Sequence, residues 1–207
     1  MLQMAEISLV IIEDNKFIRN GWEIIFNTVS KFKVIGSFSS CDDAFGSASL
    51  KKADLVLLDL KLPGISGIEG AKYLKRNYPN ILILISTAYE DDTNVFDAIS
   101  AGAVGFIPKK TNPDELIKTI EITLKGGSPM TPNVARKILL RQTKKDFGGN
   151  GFEKAFSDIQ KSIIEKIATG KTYNVVANEL NTTVQDVMME IRNIYTTIHK
   201  KLIRTGR

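Results

Sequence analysis

The sequence is poor in the side chains that most protein metal sites use. Its 207 residues include a single cysteine, Cys41, and a single histidine, His199. One cysteine cannot form an intramolecular disulfide, and so few soft ligands exclude zinc fingers and multi-histidine metal sites. Any chemistry is therefore expected to use carboxylates, hydroxyls and amines, in a reducing compartment.

Long hydrophobic runs are also missing. A membrane-spanning helix needs about 18 or more apolar residues, whereas the run Ile81–Ile85 has only the length of a strand. The first six residues show neither the basic start nor the apolar stretch of a signal peptide. We expect a cytoplasmic protein that does not associate with a membrane.

The net charge of +5 is unevenly distributed along the chain. Residues 1–124 carry a net charge of −3, residues 125–152 carry +5 and residues 153–207 carry +3. An acidic front and a basic rear favour a phosphate-bearing partner for the rear, although solvated surface lysines give the same totals.

The first 124 residues alternate between short apolar runs and helix-length amphipathic segments. Continuous apolar runs are typical of parallel strands that are covered on both faces. Five such repeats predict an α/β doubly wound domain with a five-stranded parallel sheet over residues 1–125. The runs are Ile7–Ile12, Val34–Phe38, Leu55–Leu58, Ile81–Ile85 and Val104–Ile107.

The remaining sequence has a different pattern. Residues 126–152 predict a linker with a short helix after Thr131-Pro132, followed by a glycine-rich stretch. Residues 153–207 predict a small all-α domain of three helices, with a turn at Asn181-Thr182 and a last helix from Thr183 that the tail can extend. This spacing is compatible with a helix-turn-helix.

Acidic and hydroxyl side chains follow the predicted strands where those strands end. Glu13 and Asp14 follow the first strand, Asp59 the third, Thr87 lies at the end of the fourth, and Lys109 follows the fifth. In a doubly wound sheet these carboxyl ends meet at one edge. Three carboxylates favour Mg²⁺, and a carboxylate nucleophile beside an amine and a hydroxyl is typical of phosphoryl transfer. The sequence has no glycine-rich phosphate loop, which argues against a bound nucleotide.

At these positions residues 7–125 resemble the receiver domain of two-component response regulators, which has a flavodoxin-like fold. The resemblance lies in four stretches: Ile11-Ile12-Glu13-Asp14-Asn15, Leu57 to Gly67, Ser86-Thr87-Ala88-Tyr89 and Ala101 to Lys109.

The resemblance implies a role for each matching residue. Asp59 would accept a phosphoryl group from a sensor histidine kinase, Thr87 and Lys109 would bind that group, and Phe106 would be the aromatic switch residue that fills the space vacated by Thr87. The implied Mg²⁺ ligands are Glu13, Asp14, Asp59 and the backbone carbonyl of Lys61. Beyond its own phosphorylation and dephosphorylation, such a protein is not an enzyme. Phosphorylation is expected to remodel the face of the fourth helix, fifth strand and fifth helix, causing homodimerisation or release of the output helices.

The C-terminal segment from Phe156 to about Ile198 resembles the LuxR-type helix-turn-helix output domain of NarL/FixJ-like regulators. The resemblance implies promoter DNA as a partner. The residues expected to contact DNA are Lys171, Thr183, Gln185, Arg192, Asn193, Lys200 and Lys201.

The segment departs from the family at the recognition helix. Family members usually carry lysines, a threonine and a histidine where this chain has Gln185, Met188, Asp186 and Glu190. Fewer cations and more carboxylates weaken the attraction to DNA phosphates. Two interpretations stay open: a transcription factor with an unusual recognition helix, or a phosphorylation-controlled protein-interaction module that does not bind DNA.

Overall fold

The computed structural model describes residues 6–88, 97–132, 134–136, 139 and 155–204, with side chains described up to residue 197. Its sheet has five parallel strands in the order β2-β1-β3-β4-β5. This architecture confirms the α/β doubly wound fold that was predicted from the apolar runs. The strands are β1 (Ile7–Ile12), β2 (Phe32–Phe38), β3 (Leu55–Asp59), β4 (Leu82–Thr87) and β5 (Gly105–Pro108).

Helices cover both faces of this sheet. Local hydrogen bonds set where two of them begin. The Asn15 side chain accepts backbone N–H groups at the start of the first helix, and the Asn112 side chain accepts one at the start of the fifth. The helices are α1 (Lys16–Asn27), α2 (Cys41–Phe45), α3 (Gly67–Asn77), α4 (described over 97–100) and α5 (Pro113–Leu124).

One of the helix-length segments between the strands forms two short helices. In this segment, Cys41–Leu50, α2 ends at Phe45 and a 3₁₀ helix covers Ala48–Lys52. The reason is local, since the Ser47 side chain accepts a hydrogen bond from the Ser49 backbone N–H and starts a new helix there.

The C-terminal residues form α6 (Asp158–Ala168), α7 (Tyr173–Glu179) and α8 (Val184–Arg204). Ser157 and Gln160 form a capping box at the start of α6. The tail does extend the last helix, as the sequence allowed. The predicted glycine-rich stretch within 142–152 lies outside the described residues.

Residues 128–130 connect the two parts of the molecule. Pro129 O accepts the Phe106 N–H at 2.7 Å, and the Ser128 hydroxyl donates to Val104 O at 2.6 Å. These contacts cover the outer edge of β5, which would otherwise be open to another strand. On the other side, the Ser128 N–H donates to Met188 O of α8 at 3.2 Å. The C-terminal helices are therefore docked beside β5.

No helix within the described ranges has both the length and the apolar character needed to cross a membrane.

Candidate functional site

Three carboxylates meet at the carboxyl edge of the sheet. Glu13 and Asp14 follow β1, and Asp59 is the last residue of β3. Each offers an oxygen, and these oxygens all lie within 4.8 Å of one another. Glu13 and Asp59 are buried, with 0% and 2% of their surfaces exposed, whereas Asp14 is exposed. The arrangement has a buried floor and a solvent-facing side.

Lys109 joins two of these carboxylates. Its ammonium Nζ lies 2.7 Å from the Glu13 carboxylate and 2.8 Å from Oδ2 of Asp59. Burial raises the pKa of Glu13, against the opposing effect of the Lys109 hydrogen bond. Burial opposes the charge on Lys109, but hydrogen bonds to Asp59 and Glu13 outweigh it and raise the Lys109 pKa. The ammonium is therefore held charged beside Asp59.

The cluster has the chemistry of a divalent cation site. Three carboxylates meet one ammonium, so negative charge is in excess at this edge of the sheet. Crowded carboxylate oxygens with this excess of charge fit Mg²⁺, which prefers oxygen ligands. The fourth predicted ligand, the Lys61 carbonyl, belongs to the loop two residues beyond β3.

Two residues of β4 lie beside the acidic cluster. Ser86 pairs with Asp59 across the sheet, and its buried hydroxyl has no hydrogen-bond partner within the described structure. Thr87, which is 3% exposed, accepts the Lys109 backbone N–H at its carbonyl at 2.9 Å. Thr87 therefore belongs to the same edge as Asp59 and Lys109, as predicted from the strand ends.

Phe106 occupies a position between the acidic edge and the C-terminal helices. It lies on β5 opposite Ile85 and is 5% exposed. It also lines a cleft of about 670 Å³ that Tyr173 of α7 and Met188 of α8 line from the other side. A change in the Phe106 side chain can therefore reach the C-terminal helices directly.

Close backbone packing fixes the position of Asp59. A Cβ atom on Gly67, the first residue of α3, would lie 2.0 Å from Asp59 O and 2.6 Å from Leu60 Cα. The Gly67 N–H donates to Leu60 O at 3.0 Å. Gly64, in the loop between them, has a φ of 71°, which favours glycine. Only this compact turn lets α3 start directly against the end of β3.

Arg19 is a residue that the sequence reasoning missed. Its Nη1 donates to Glu13 O at 2.6 Å and to Asp14 O at 3.2 Å, so one guanidinium holds the backbone of both acidic residues. The Glu13 side chain also accepts the Asn15 N–H at 3.1 Å. Because Arg19 binds carbonyls rather than carboxylates, only its position one turn into α1 could have signalled this role.

The residues expected to contact DNA occupy different environments. Lys171 is paired with Glu179, at 2.5 Å, and the Thr183 hydroxyl donates to Asp186 at the start of α8. Gln185 and Asn193 are exposed. Lys200 and Lys201 lie in α8, but their side chains are outside the described residues.

Arg192 contacts α5. Its Nη1 donates to Thr123 O of α5 at 3.1 Å, and its side chain is half-buried. The buried residues Val187, Ile191 and Ile194 give α8 its apolar face. In this arrangement the predicted recognition helix is docked beside α5 and β5.

The chain is similar to known proteins over most of its length. A family model described as the response regulator receiver domain matches residues 9–121. The uncharacterized transcriptional regulatory protein YxjL of Bacillus subtilis is 27% identical over 191 residues, covering 91% of this chain and 88% of YxjL.

Two solved structures show the same fold. A LuxR-family response regulator from Aurantimonas has a TM-score of 0.60 at 26% identity and covers 67% of this chain and 99% of its own. The RcsB response regulator in a complex with DNA has a TM-score of 0.58 at 20% identity and covers 94% of this chain and 92% of its own. Since the receiver model spans more than half of the 207 residues, the chain belongs to the response regulator receiver domain family.

Proposed function

We propose that this protein is a response regulator of transcription, in which phosphorylation of Asp59 controls DNA binding by the C-terminal helices. The position of Asp59 supports the proposal, because this residue is buried at the carboxyl edge of the sheet, between two further acidic residues and the Lys109 ammonium. A carboxylate in this setting is suited to be phosphorylated, because the neighbouring ammonium, together with a cation held by the acidic residues, would stabilise the negative charge of the phosphoryl oxygens. Catalysis by the protein is limited to the gain and loss of this group.

The phosphoryl donor is a phosphohistidine of a sensor histidine kinase. An Asp59 carboxylate oxygen forms a bond to phosphorus as the bond from phosphorus to the histidine nitrogen breaks, and the imidazole leaves with its electron pair. Lys109, already 2.8 Å from Asp59, then pairs with a phosphoryl oxygen. The Thr87 hydroxyl is the second group that binds the phosphoryl oxygens.

The acidic residues supply the magnesium site for this reaction. Mg²⁺ would be held by Glu13, Asp14, Asp59 and the Lys61 carbonyl, where it would supply positive charge against the phosphoryl oxygens. Arg19 keeps the Glu13 and Asp14 backbone in place, since it binds both of their carbonyls.

Phosphorylation reaches the output helices through β4 and β5. When Thr87 turns towards the phosphoryl group, Phe106 moves into the vacated space, and Phe106 lines the cleft that also contains Met188 of α8. Movement there weakens the docking of α8, which includes the bond from Arg192 to Thr123. The released helices and the remodelled face then permit a homodimer.

Promoter DNA is the proposed target of the released domain. YxjL and RcsB, which match this chain over most of their length, are a transcriptional regulatory protein and a regulator solved with DNA. We divide the chain accordingly into a receiver (1–125), a linker with a short helix (126–152) and an output domain (153–207). Gln185 and Asn193 are exposed to meet DNA, and the remaining proposed contacts are Lys171, Thr183, Arg192, Lys200 and Lys201.

The test is fluorescence anisotropy with labelled promoter DNA at low salt, with and without beryllofluoride and Mg²⁺. We expect tighter binding with beryllofluoride for the wild-type protein and no such change for Asp59→Asn. An equal affinity in both states of the wild-type protein would contradict the proposed switch.

A protein-interaction module is the second candidate, and the surface of α8 favours it. Met189 is 36% exposed, and Glu190 accepts from Gln160 at 2.9 Å, so this surface presents an adaptable apolar side chain beside carboxylates. If Asp59 takes up phosphate while DNA binding is absent at low salt in both states, this second function replaces the first.

A further inference from the structure

A small cavity lies at the contact between the receiver and α8, away from the acidic cluster. It has a volume of about 150 Å³, well below the roughly 300–1,000 Å³ of sites for larger organic ligands. Its walls come from both parts of the molecule: Lys75, Ile99, Gly102, Ala103, Val104, Ser128, Arg192, Tyr195 and Thr196.

Two residues that carry a positive charge line this cavity from opposite sides of the contact. Lys75 belongs to α3 of the receiver, and Arg192 belongs to α8. Both side chains are half-buried. Burial and the nearby charge of Arg192 lower the pKa of Lys75, and burial lowers the pKa of Arg192. The two positive charges therefore oppose each other in a partly dehydrated space.

No carboxylate balances this pair in the described part of the chain. The residues that line the cavity include no Asp or Glu, and neither cation belongs to an ion pair there. Each has a backbone carbonyl partner: Lys75 Nζ donates to Pro79 O at 2.6 Å, and Arg192 Nη1 donates to Thr123 O at 3.1 Å. An ammonium and a guanidinium carry three and five donors, so both retain unused capacity for an anion.

The Lys75 side chain is held in place rather than free to leave the cavity. Gly102 has a φ of 103°, and a Cβ there would lie 2.7 Å from Lys75 Cγ, so the aliphatic stem packs directly on this glycine. The Pro79 carbonyl fixes the other end. The stem of Lys75 is thus fixed at the cavity wall before any ligand arrives, and its ammonium lies at the Pro79 carbonyl.

We propose that this cavity binds a small oxyanion of the phosphate class between Lys75 and Arg192. The bound anion would replace a repulsion across the contact by two attractions and so hold α8 against the receiver. A second, phosphate-dependent control of the docked state follows, which is independent of Asp59.

Calorimetric titration of the full-length protein with inorganic phosphate tests the proposal, using Asp59→Asn protein without divalent metal so that the acidic cluster does not contribute. A parallel titration with glycerol phosphate distinguishes a free anion from a phosphate monoester. We expect one binding event for at least one of the two ligands.

Variants assign the event to this cavity. Lys75→Met and Arg192→Met each retain an apolar stem and are expected to weaken binding about tenfold or more. Lys51→Met removes an exposed lysine elsewhere and should leave the affinity unchanged. Circular dichroism of each variant establishes that it is folded. Binding that is absent for both ligands, or that is equal in all folded variants, overturns the proposal.

Discussion

At the scale of single residues, the buried charge of Glu13 lowers the folding stability of the protein. Glu13 is fully buried, and burial raises its pKa above the ordinary value of 4.5. Ionisation of this carboxyl is therefore less favourable in the folded protein than in the unfolded chain. A raised pKa in the folded state contributes stability at low pH, and this contribution is lost as the pH rises through the folded-state pKa. At neutral pH without metal, the charge on Glu13 is a cost.

Glu13→Gln should therefore raise the free energy of unfolding by about 0.5–2 kcal/mol at neutral pH without divalent metal, because it removes that charge. The gain should disappear below the ordinary pKa of 4.5, where the wild-type carboxyl is protonated in both states. Urea denaturation across this pH range measures the effect, with the exposed Glu165→Gln as the control. A variant that is less stable than wild type at neutral pH would contradict this account.

Arg19 provides a second residue-scale prediction. Arg19→Met keeps the aliphatic stem but removes both hydrogen bonds to the Glu13 and Asp14 carbonyls. Loss of such a supporting contact typically lowers metal affinity or activity by about 10- to 100-fold, and we expect the same for Mg²⁺ affinity and phosphorylation rate here. Mg²⁺ titration by calorimetry provides a readout that does not depend on phosphorylation. Arg76→Met, on the exposed side of α3, is the matched control, and an equal effect of both changes would refute the role of Arg19.

At the scale of helices and strands, the sequence predicts those elements whose ends are set by local residue patterns. The ends of the strands, and hence the meeting of Glu13, Asp59 and Lys109, could be predicted because buried parallel strands are continuous apolar runs. The end of α2 and the start of the 3₁₀ helix could not be predicted, because they depend on a single hydrogen bond from the Ser49 backbone N–H to the Ser47 hydroxyl. The contacts of Arg19 with carbonyls leave no pattern of complementary charge in the sequence.

The junction of β3 and α3 predicts contrasting effects for two glycines. Gly67→Ala would place a Cβ 2.0 Å from Asp59 O and should destabilise the fold by about 1–3 kcal/mol, with impaired phosphorylation. Gly21→Ala, inside α1, meets nothing within 4 Å and should stabilise by about 0.5–1 kcal/mol. Thermal and urea unfolding measure both changes. Equal effects would show that the close approach at Gly67 does not constrain the turn.

Two buried tyrosines of the C-terminal helices are expected to respond in opposite ways to substitution by phenylalanine. The Tyr173 hydroxyl is buried without a hydrogen-bond partner in the described structure, whereas the Tyr195 hydroxyl donates to Ala135 O and Met130 Sδ, both at 3.3 Å. Tyr173→Phe should therefore raise the unfolding free energy by about 1 kcal/mol, and Tyr195→Phe should lower it by about 1 kcal/mol. Urea denaturation provides the measurement, and a loss of stability for both variants would contradict the assignment.

At the scale of the whole molecule, the main feature is the docking of α8 on the receiver. The sequence could not predict it, because Arg192 and Met188 suit contact with DNA, a partner or another domain equally well. In the structure Arg192 Nη1 donates a hydrogen bond to Thr123 O, and Met188 O accepts one from the Ser128 N–H. The +3 charge of residues 153–207 is thus only partly available to a phosphate-bearing partner in the docked state.

Release of α8 can be followed at one amide. The Ser128 N–H donates to Met188 O across the contact, whereas the Phe106 N–H donates to Pro129 O beside the receiver strand. With beryllofluoride and Mg²⁺, we expect hydrogen exchange to accelerate about tenfold or more at Ser128 and to change little at Phe106. Exchange measured by NMR on the full chain distinguishes the two amides. Unchanged protection at Ser128 would mean that the domains stay docked.

Intact-protein mass spectrometry after incubation with a small phosphodonor and Mg²⁺ measures whether Asp59 accepts the phosphoryl group. We expect the wild-type chain to gain one phosphoryl group, the gain to depend on Mg²⁺, and Asp59→Asn to gain none. Equal phosphorylation of the wild-type protein and Asp59→Asn would show that Asp59 is not the acceptor.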